Sequence, residues 1–384
     1  MSTYDALIVG AGPAGAGAAA LLAEGGARVL LLEKERFPRY KACGGGLDGL
    51  AARALESMGI DLEAVQEDAP TELRITKGGC HPATYRFDKP LAITTMRSEL
   101  DRLIAHAAAA RGAEFHDGER VRSVSDDGLG ITVATDRGSY RGRVLIGADG
   151  AYSLTARLFQ LNRNPVRYVL TSAEIAPPTQ VQESWVGRAQ IDISVWPLGY
   201  GWVFPKRDHL SIGIGVPLRM AKRLRQYYDQ FRRHTGLAEA KVLLQRSHML
   251  AFRWKQAPLA TGRVLLVGDA AGLVDPNTGG GIAWGLRSAQ YAASSVLGYL
   301  GGEASDLSGY SRLIDQGVEP EFRAARILRN GIVLRFILTR GRATRHKRLW
   351  SEVVRVIQGD EQYREWFRRA RLARLLTFTA AIPL

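Results

Sequence analysis

Three observations predict an α/β fold combined with an antiparallel β-sheet. The first 35 residues read strand, glycine turn, helix, strand; the stretch from about 160 to 255 alternates and is rich in aromatic residues and prolines; Val264-Leu265-Leu266-Val267 then returns to a buried strand. A parallel-sheet domain interrupted by a second sheet accounts for all three. In the opening unit, residues 5 to 9 form the first strand, Ala14 to Glu24 a helix of small residues, and Arg28 to Leu32 the next apolar strand. Around Arg97 to Ala110 apolar residues recur at helical spacing, and strand-like segments follow near 120 to 146. Leu210-Ser211-Ile212-Gly213-Ile214-Gly215-Val216 alternates as a strand does, and a helix is expected from about 281. From about 310 the chain reads as helices, without a repeat or a low-complexity linker. The expected division is a discontinuous first domain over 1–75, 97–159 and 258–309, a sheet domain over 76–96 and 160–257, and a basic helical C-terminal region over 310–384.

Composition narrows the function classes. The 384 residues include only two cysteines, Cys43 and Cys80, in no zinc or disulfide spacing, which fits a reducing, cytoplasmic setting. The seven histidines form no ligand spacing, so no metal site is expected. Met1 leads directly into the apolar run Ala6-Leu7-Ile8-Val9 without a basic leader, and no stretch approaches the roughly 20 apolar residues of a membrane span. The net charge is +14, and residues 320 to 384 hold 15 Arg and Lys against 5 Asp and Glu. A solvated helical surface is one reading of that excess; attraction to anionic lipid head groups or a phosphorylated substrate is the sharper one. No recognition motif accompanies the charge, so nucleic acid is not an expected partner.

Three stretches supply parts of one cofactor cradle. Gly10-x-Gly12-x-x-Gly15 follows a strand and opens a helix, and Glu33 ends the second strand 18 residues after Gly15. Gly10 permits the tight turn, Gly12 lets backbone approach a pyrophosphate, Gly15 lets helix and strand pack, and Glu33 can hold ribose hydroxyls. In Leu265-Leu266-Val267-Gly268-Asp269-Ala270-Ala271-Gly272 a buried strand ends in Asp269, which can accept from a ribityl hydroxyl. The later Gly279-Gly280-Gly281-Ile282 can bring helix-terminal N–H groups to an isoalloxazine ring. Asp149-Gly150 supplies a turn whose role is more structural than catalytic. The first domain is thus expected to be a Rossmann-like FAD-binding domain, with the antiparallel sheet inserted as a substrate domain.

This combination resembles the flavoprotein superfamily of aromatic hydroxylases, flavin halogenases and prenyl reductases. Phe37-Pro38-Arg39-Tyr40-Lys41-Ala42-Cys43-Gly44-Gly45-Gly46-Leu47 looks like the Cys-x-Gly-Gly loop of the geranylgeranyl reductase family. Pro197-x-x-Tyr200-x-Trp202-x-Phe204-Pro205-Lys206, followed by Gly213 and Gly215, looks like that family's substrate-domain signature. The similarity runs in motif order from Tyr4 to about Tyr291, and Ala42 stands where the family often has Pro. The resemblance implies an enzyme that saturates carbon–carbon double bonds of an isoprenoid or prenyl lipid by hydride transfer from reduced FAD. It implies catalytic roles for Cys43, as a proton relay or redox gate, and for an aromatic wall of Tyr200, Trp202 and Phe204; the residues alone leave open a Cys43 that only lets the loop lie flat and aromatics that only pack a core. It further implies that Arg97 supports the cofactor phosphate or ribityl region, that Cys43, Gly44 and Gly45 lie over the flavin, and that the backbones of Ala14, Val121, Gly281 and Ile282 line FAD. The electron donor is left between NADPH and a ferredoxin-type protein, since no second dinucleotide fingerprint is evident. A flavin monooxygenase or halogenase, and a non-catalytic redox carrier or sensor, stand as alternatives.

Residues 363 to 376 combine arginines with apolar residues at helical intervals, and an apolar end from Phe378 to Leu384 follows. Peripheral membrane contact is expected there, with Trp366, Phe367, Leu372, Leu375 and Leu376 entering the acyl boundary. The competing reading docks the same residues on the protein's own core.

Overall fold

The structure, a computed structural model, describes residues 3–163, 165–193, 199–253 and 257–369. Its central sheet is built on the strand Thr3–Val9, which lies between Val29–Leu32 and Ser139–Gly147 and runs parallel to both. Val264–Leu266 adds in parallel beyond Ser139–Gly147, and Glu114–His116 beyond Val29–Leu32. These strands read as unbroken apolar runs because helices cover them: Leu7, Leu30, Leu145 and Leu265 are all fully buried. The helix Pro13–Glu24 can pack tightly because its inward residues are Gly and Ala, with Ala16, Ala18 and Ala19 wholly enclosed. Arg97–Ala110 and Ile282–Leu300, the latter starting close to the expected residue 281, contribute to the same core.

The second sheet has seven strands in the order Lys241–Phe252, Val166–Ala176, Leu210–Pro217, Tyr200–Pro205, Arg188–Asp192, Glu72–Lys77 and Cys80–Arg86. Its pairings are antiparallel except that of Arg188–Asp192 with Glu72–Lys77, which is parallel. Glu72–Lys77 crosses the boundary expected at 75/76 and pairs entirely within this second sheet. Its parallel partner lies more than a hundred residues on, a pairing that no local pattern announces. A small third sheet joins Gly46–Leu47, Ile93–Thr95 and Gln66–Asp68, tying the glycine-rich loop after Cys43 to the start of the helix at Arg97.

The C-terminal helices Glu319–Leu338, Lys347–Ile357 and Tyr363–Arg369 close over the second sheet. Leu73, Ile75 and Ala189 of the sheet share a core with Leu328, Phe336, Trp350, Val354, Tyr363 and Trp366. Trp366 is only 3% exposed, and Phe367 packs against the same cluster. This corrects the expectation that both enter a bilayer: the sheet offers an apolar face that these rings cover. Leu372, Leu375, Leu376 and the apolar end from Phe378 lie outside the described residues, as does Pro197 of the substrate-domain signature. No helix among the described residues is long and apolar enough to cross a membrane.

Candidate active site

The dinucleotide turn is shaped by contacts that exclude side chains. Gly10 has φ +103°, and a Cβ there would lie 2.3 Å from the Ala148 carbonyl oxygen; one on Gly15 would lie 1.9 Å from that of Gly10. Gly12 is different: a Cβ would meet nothing within 4 Å. That open space lies at the N-terminus of Pro13–Glu24, which no side chain caps. Uncapped N–H groups beside an empty approach suit a pyrophosphate.

Glu33 sits behind this turn, 5% exposed. Its carboxylate accepts from the Ala11 N–H at 3.0 Å and the Glu35 N–H at 3.1 Å, and Arg39 donates to it at 3.3 Å. Arg39 also pairs with Asp101 at 3.0 Å, and Arg97 holds Asp101 through two hydrogen bonds of 2.8 Å. Burial alone would raise the Asp101 carboxyl, but Arg97 and Arg39 keep it below the usual carboxylate range. A line of alternating charges thus runs from Glu33 to Arg97. Val121 opens an edge strand two residues beyond Glu119, whose N–H donates to the Glu33 carbonyl at 2.8 Å.

At the other end, burial would raise Asp269, yet Lys41 at 3.5 Å and His248 at 3.9 Å hold its carboxyl well below the usual range. A Cβ on Gly281 would lie 3.0 Å from Asp269 Oδ1, so the ionised carboxylate and the start of the helix Ile282–Leu300 sit side by side. Asp149 accepts from the Thr155 N–H at 3.1 Å and from Ser153, which is the structural part expected of it.

The loop Cys43–Gly46 lies flat against the strand Tyr200–Pro205. A Cβ on Gly44 would come within 2.6 Å of Trp202 Nε1, and one on Gly45, whose φ is +66°, within 2.0 Å of the Thr95 carbonyl oxygen. The Gly45 N–H points at Cys43 Sγ, 3.3 Å away. Lys206 is 1% exposed and its Nζ donates to the carbonyls of Gly44 at 3.0 Å and Thr95 at 2.8 Å. Burial pushes the Lys206 ammonium down to about 8. Tyr40, on the approach to Cys43, donates to buried Glu174 at 3.1 Å, so both flanks of the loop are fastened to the second sheet.

Tyr200, Trp202 and Phe204 share one face of their strand, with ring centroids 5.9 and 6.5 Å apart in sequence. The Tyr200 hydroxyl donates to the Thr278 carbonyl at 2.6 Å, and burial raises its pKa. The aromatic strand thereby holds the turn that precedes Gly279.

Of the residues expected at the site, Gly12, Ala14, Gly15, Cys43, Gly44, Gly45, Arg97, Tyr200, Trp202, Phe204, Asp269, Gly281 and Ile282 line one cavity of about 390 Å³. Gly10, Glu33 and Val121 do not; Glu33 ends the charge line away from Arg97, and Val121 follows Glu119, the residue bonded to the Glu33 backbone. The open space at Gly12, the bare helix terminus, the ionised Asp269 and the side-chain-free loop together fit FAD. Sequence reasoning missed Asp48 and Asp275 in the same lining, the first half-buried and the second buried, whose carboxyls are raised by desolvation, Asp48 to about 6. It missed Arg329, Ile332, Val333 and Trp350 of the C-terminal helices as well. Lys206 was visible as the residue after the aromatic motif, but its loop partner is remote in sequence.

The fold and this cradle define an FAD-dependent oxidoreductase. The chain belongs to the family described as FAD binding domain, whose model matches residues 3–312. Its likeness to geranylgeranyl reductases is borne out by named relatives. A geranylgeranyl diphosphate reductase of Rhodobacter capsulatus is 30% identical, the match covering 79% of this chain and 78% of the other. A menaquinone reductase of Mycolicibacterium smegmatis is 31% identical, covering 92% and 91%. A crystal structure of a geranylgeranyl bacteriochlorophyll reductase-like protein from Thermoplasma acidophilum superimposes with a TM-score of 0.77 at 23% identity, covering 100% of this chain and 97% of that one, and shows the shared fold.

Proposed function

We propose that the protein saturates carbon–carbon double bonds of an isoprenoid chain, with the α/β domain holding FAD and the second sheet and C-terminal helices holding the substrate. The observation that carries this reading is the facing of the aromatic wall Tyr200-Trp202-Phe204 and the Cys43–Gly46 loop within one cavity that the apolar Ile332, Val333 and Trp350 extend. The two relatives' names are consistent with it, since a geranylgeranyl group and the tail of a menaquinone are both isoprenoid. Reduced FAD, when bound, supplies the hydride. An isolated alkene has no carbonyl to polarise, so the protein must align the chain and exclude water. The aromatic wall does the first and the buried apolar lining the second. Hydride adds to one alkene carbon and a proton to the other, and Cys43 is the group proposed to relay that proton. Gly10, Gly12, Ala14, Gly15 and the Arg97 and Asp269 side chains bind the cofactor at its phosphate and ribityl region, Glu33 and Val121 at its ribose end, and Gly44, Gly45, Gly281 and Ile282 along the ring. Electrons come from NADPH or a ferredoxin-type protein.

Mass spectrometry after anaerobic incubation of the chemically reduced protein with geranylgeranyl diphosphate or a menaquinone tests this. A gain of two hydrogens in the isoprenoid chain is expected. Incorporation of oxygen or halogen once air or halide is admitted would favour a monooxygenase or halogenase, and flavin cycling without a changed product would favour a redox carrier.

A further inference from the structure

The connection between the helices Glu319–Leu338 and Lys347–Ile357 combines two features that a water-facing turn rarely keeps together. Ile337 and Leu338 are adjacent, and 50% and 73% exposed. Arg340, Arg342, Arg345, Lys347 and Arg348 follow along the chain and are exposed, and none has an ion-pair partner among the described residues. The charge is uncompensated in sequence too: residues 322 to 351 contain nine Arg and Lys and no Asp or Glu. A second adjacent exposed pair, Val242 and Leu243 at 38% and 51%, follows Glu239 and Lys241 at the start of the strand Lys241–Phe252 and lies outside any run of like charge. Leu129, the most exposed large apolar residue, is a single side chain on a hairpin beside Asp126 and Asp127. Isolated exposed apolar residues are ordinary, whereas an exposed apolar pair followed directly by a run of unpaired cations matches an interface of acyl chain and anionic head group.

We propose that this turn is the surface by which the protein docks on an anionic lipid bilayer. The exposed Ile337 and Leu338 enter the head-group boundary, and the five cations that follow them meet lipid phosphates. The surface lies elsewhere than the terminal helix Tyr363–Arg369, whose Tyr363 and Trp366 are buried in the core. It also sits where a lipid-borne substrate would have to arrive. Arg329, Ile332 and Val333 of the first helix and Trp350 and Val353 of the second line the cavity. Val333 precedes Ile337 by one helical turn, or about 6 Å of rise. This placement beside the cavity rests on the isoprenoid reading of the site; the docking surface itself does not.

Vesicle sedimentation with the full chain tests the proposal, using phosphatidylglycerol–phosphatidylcholine vesicles and vesicles of phosphatidylcholine alone. The wild type should pellet with the anionic vesicles, less so as salt is raised, and remain in the supernatant with the neutral ones. Ile337→Ser with Leu338→Ser, and separately Arg340→Glu with Arg345→Glu and Arg348→Glu, should each weaken binding at least about tenfold. FAD content and turnover of a detergent-dispersed prenyl substrate should be unchanged in both. A wild type that stays in the supernatant, or variants that pellet as well as it does, overturns the proposal. So does a lipid-free dimer that both variants abolish, which would assign the surface to a second copy. Salt-sensitive vesicle binding without turnover of any prenyl substrate would refute the functional reading and leave the docking surface standing.

Discussion

Lys206 reaches across 162 residues of sequence to donate to the Gly44 carbonyl at 3.0 Å, while the same amine donates to Thr95 at 2.8 Å. One buried cation thereby fixes the loop that carries Cys43 to the sheet that carries the aromatic wall. Neither half of the site could be misplaced without disturbing the other.

The protonation of that amine gives a first prediction. Burial lowers Lys206 from its ordinary 10.5 to about 8, so the folded state sheds this proton before the unfolded state does. Between about pH 8 and 10.5 the unfolded chain binds more protons, and this group's contribution to stability therefore rises with pH across that window. Relative to a Lys206→Met variant, the wild type should gain roughly 3 kcal/mol of stability between pH 8 and 10.5. Urea denaturation of both proteins at several pH values measures it. A stability difference that does not change with pH would show that the amine is not held as described.

Two glycines should respond in opposite ways. Gly12→Val places its side chain in open space, so the variant should unfold at the same temperature as the wild-type apoprotein yet lose visible flavin absorbance. Gly45→Val puts Cβ 2.0 Å from the Thr95 carbonyl oxygen at a positive φ, and should destabilise the apoprotein itself, by at least about 1–3 kcal/mol. Full FAD content in folded Gly12→Val would count against the pyrophosphate site.

Much of this was legible in the sequence because it depends on local rules. The glycine turn, the small-residue helix and Glu33 follow from steric limits within one βαβ unit. The alternation of Tyr200, Trp202 and Phe204 is enough to put them on one face. What was not legible depends on contacts between remote segments. Glu72–Lys77 looked like the end of the first domain because its parallel partner, Arg188–Asp192, lies far along the chain. Trp366 fits a bilayer and a protein core equally well by periodicity, and only its packing in the cluster with Leu73 and Ile75 decides. Asp48 and Asp275 carry no motif; their raised carboxyls follow from burial in a cavity that several segments must assemble.

Cys43 supplies a third prediction. If its thiol relays the proton, Cys43→Ala should keep FAD and slow alkene reduction by at least about tenfold, roughly 1.4 kcal/mol in the barrier. Cys43→Ser should recover part of the loss. Full activity in Cys43→Ala would leave the loop a shaping role alone, in which the sulfur accepts from the Gly45 N–H and lies beside Arg97.

The most direct test of the central claim is an anaerobic single turnover followed by flavin absorbance, in which the protein is first reduced by dithionite without excess and then mixed with geranylgeranyl diphosphate or a menaquinone. Flavin should be reoxidised in the absence of oxygen, one equivalent per double bond lost, with a product heavier by two hydrogens for each bond. Replacing Trp202 with Ala should weaken chain alignment and slow this reoxidation while leaving FAD bound. Flavin that stays reduced with both substrates, or that is reoxidised while the isoprenoid chain keeps every double bond, would contradict the assignment.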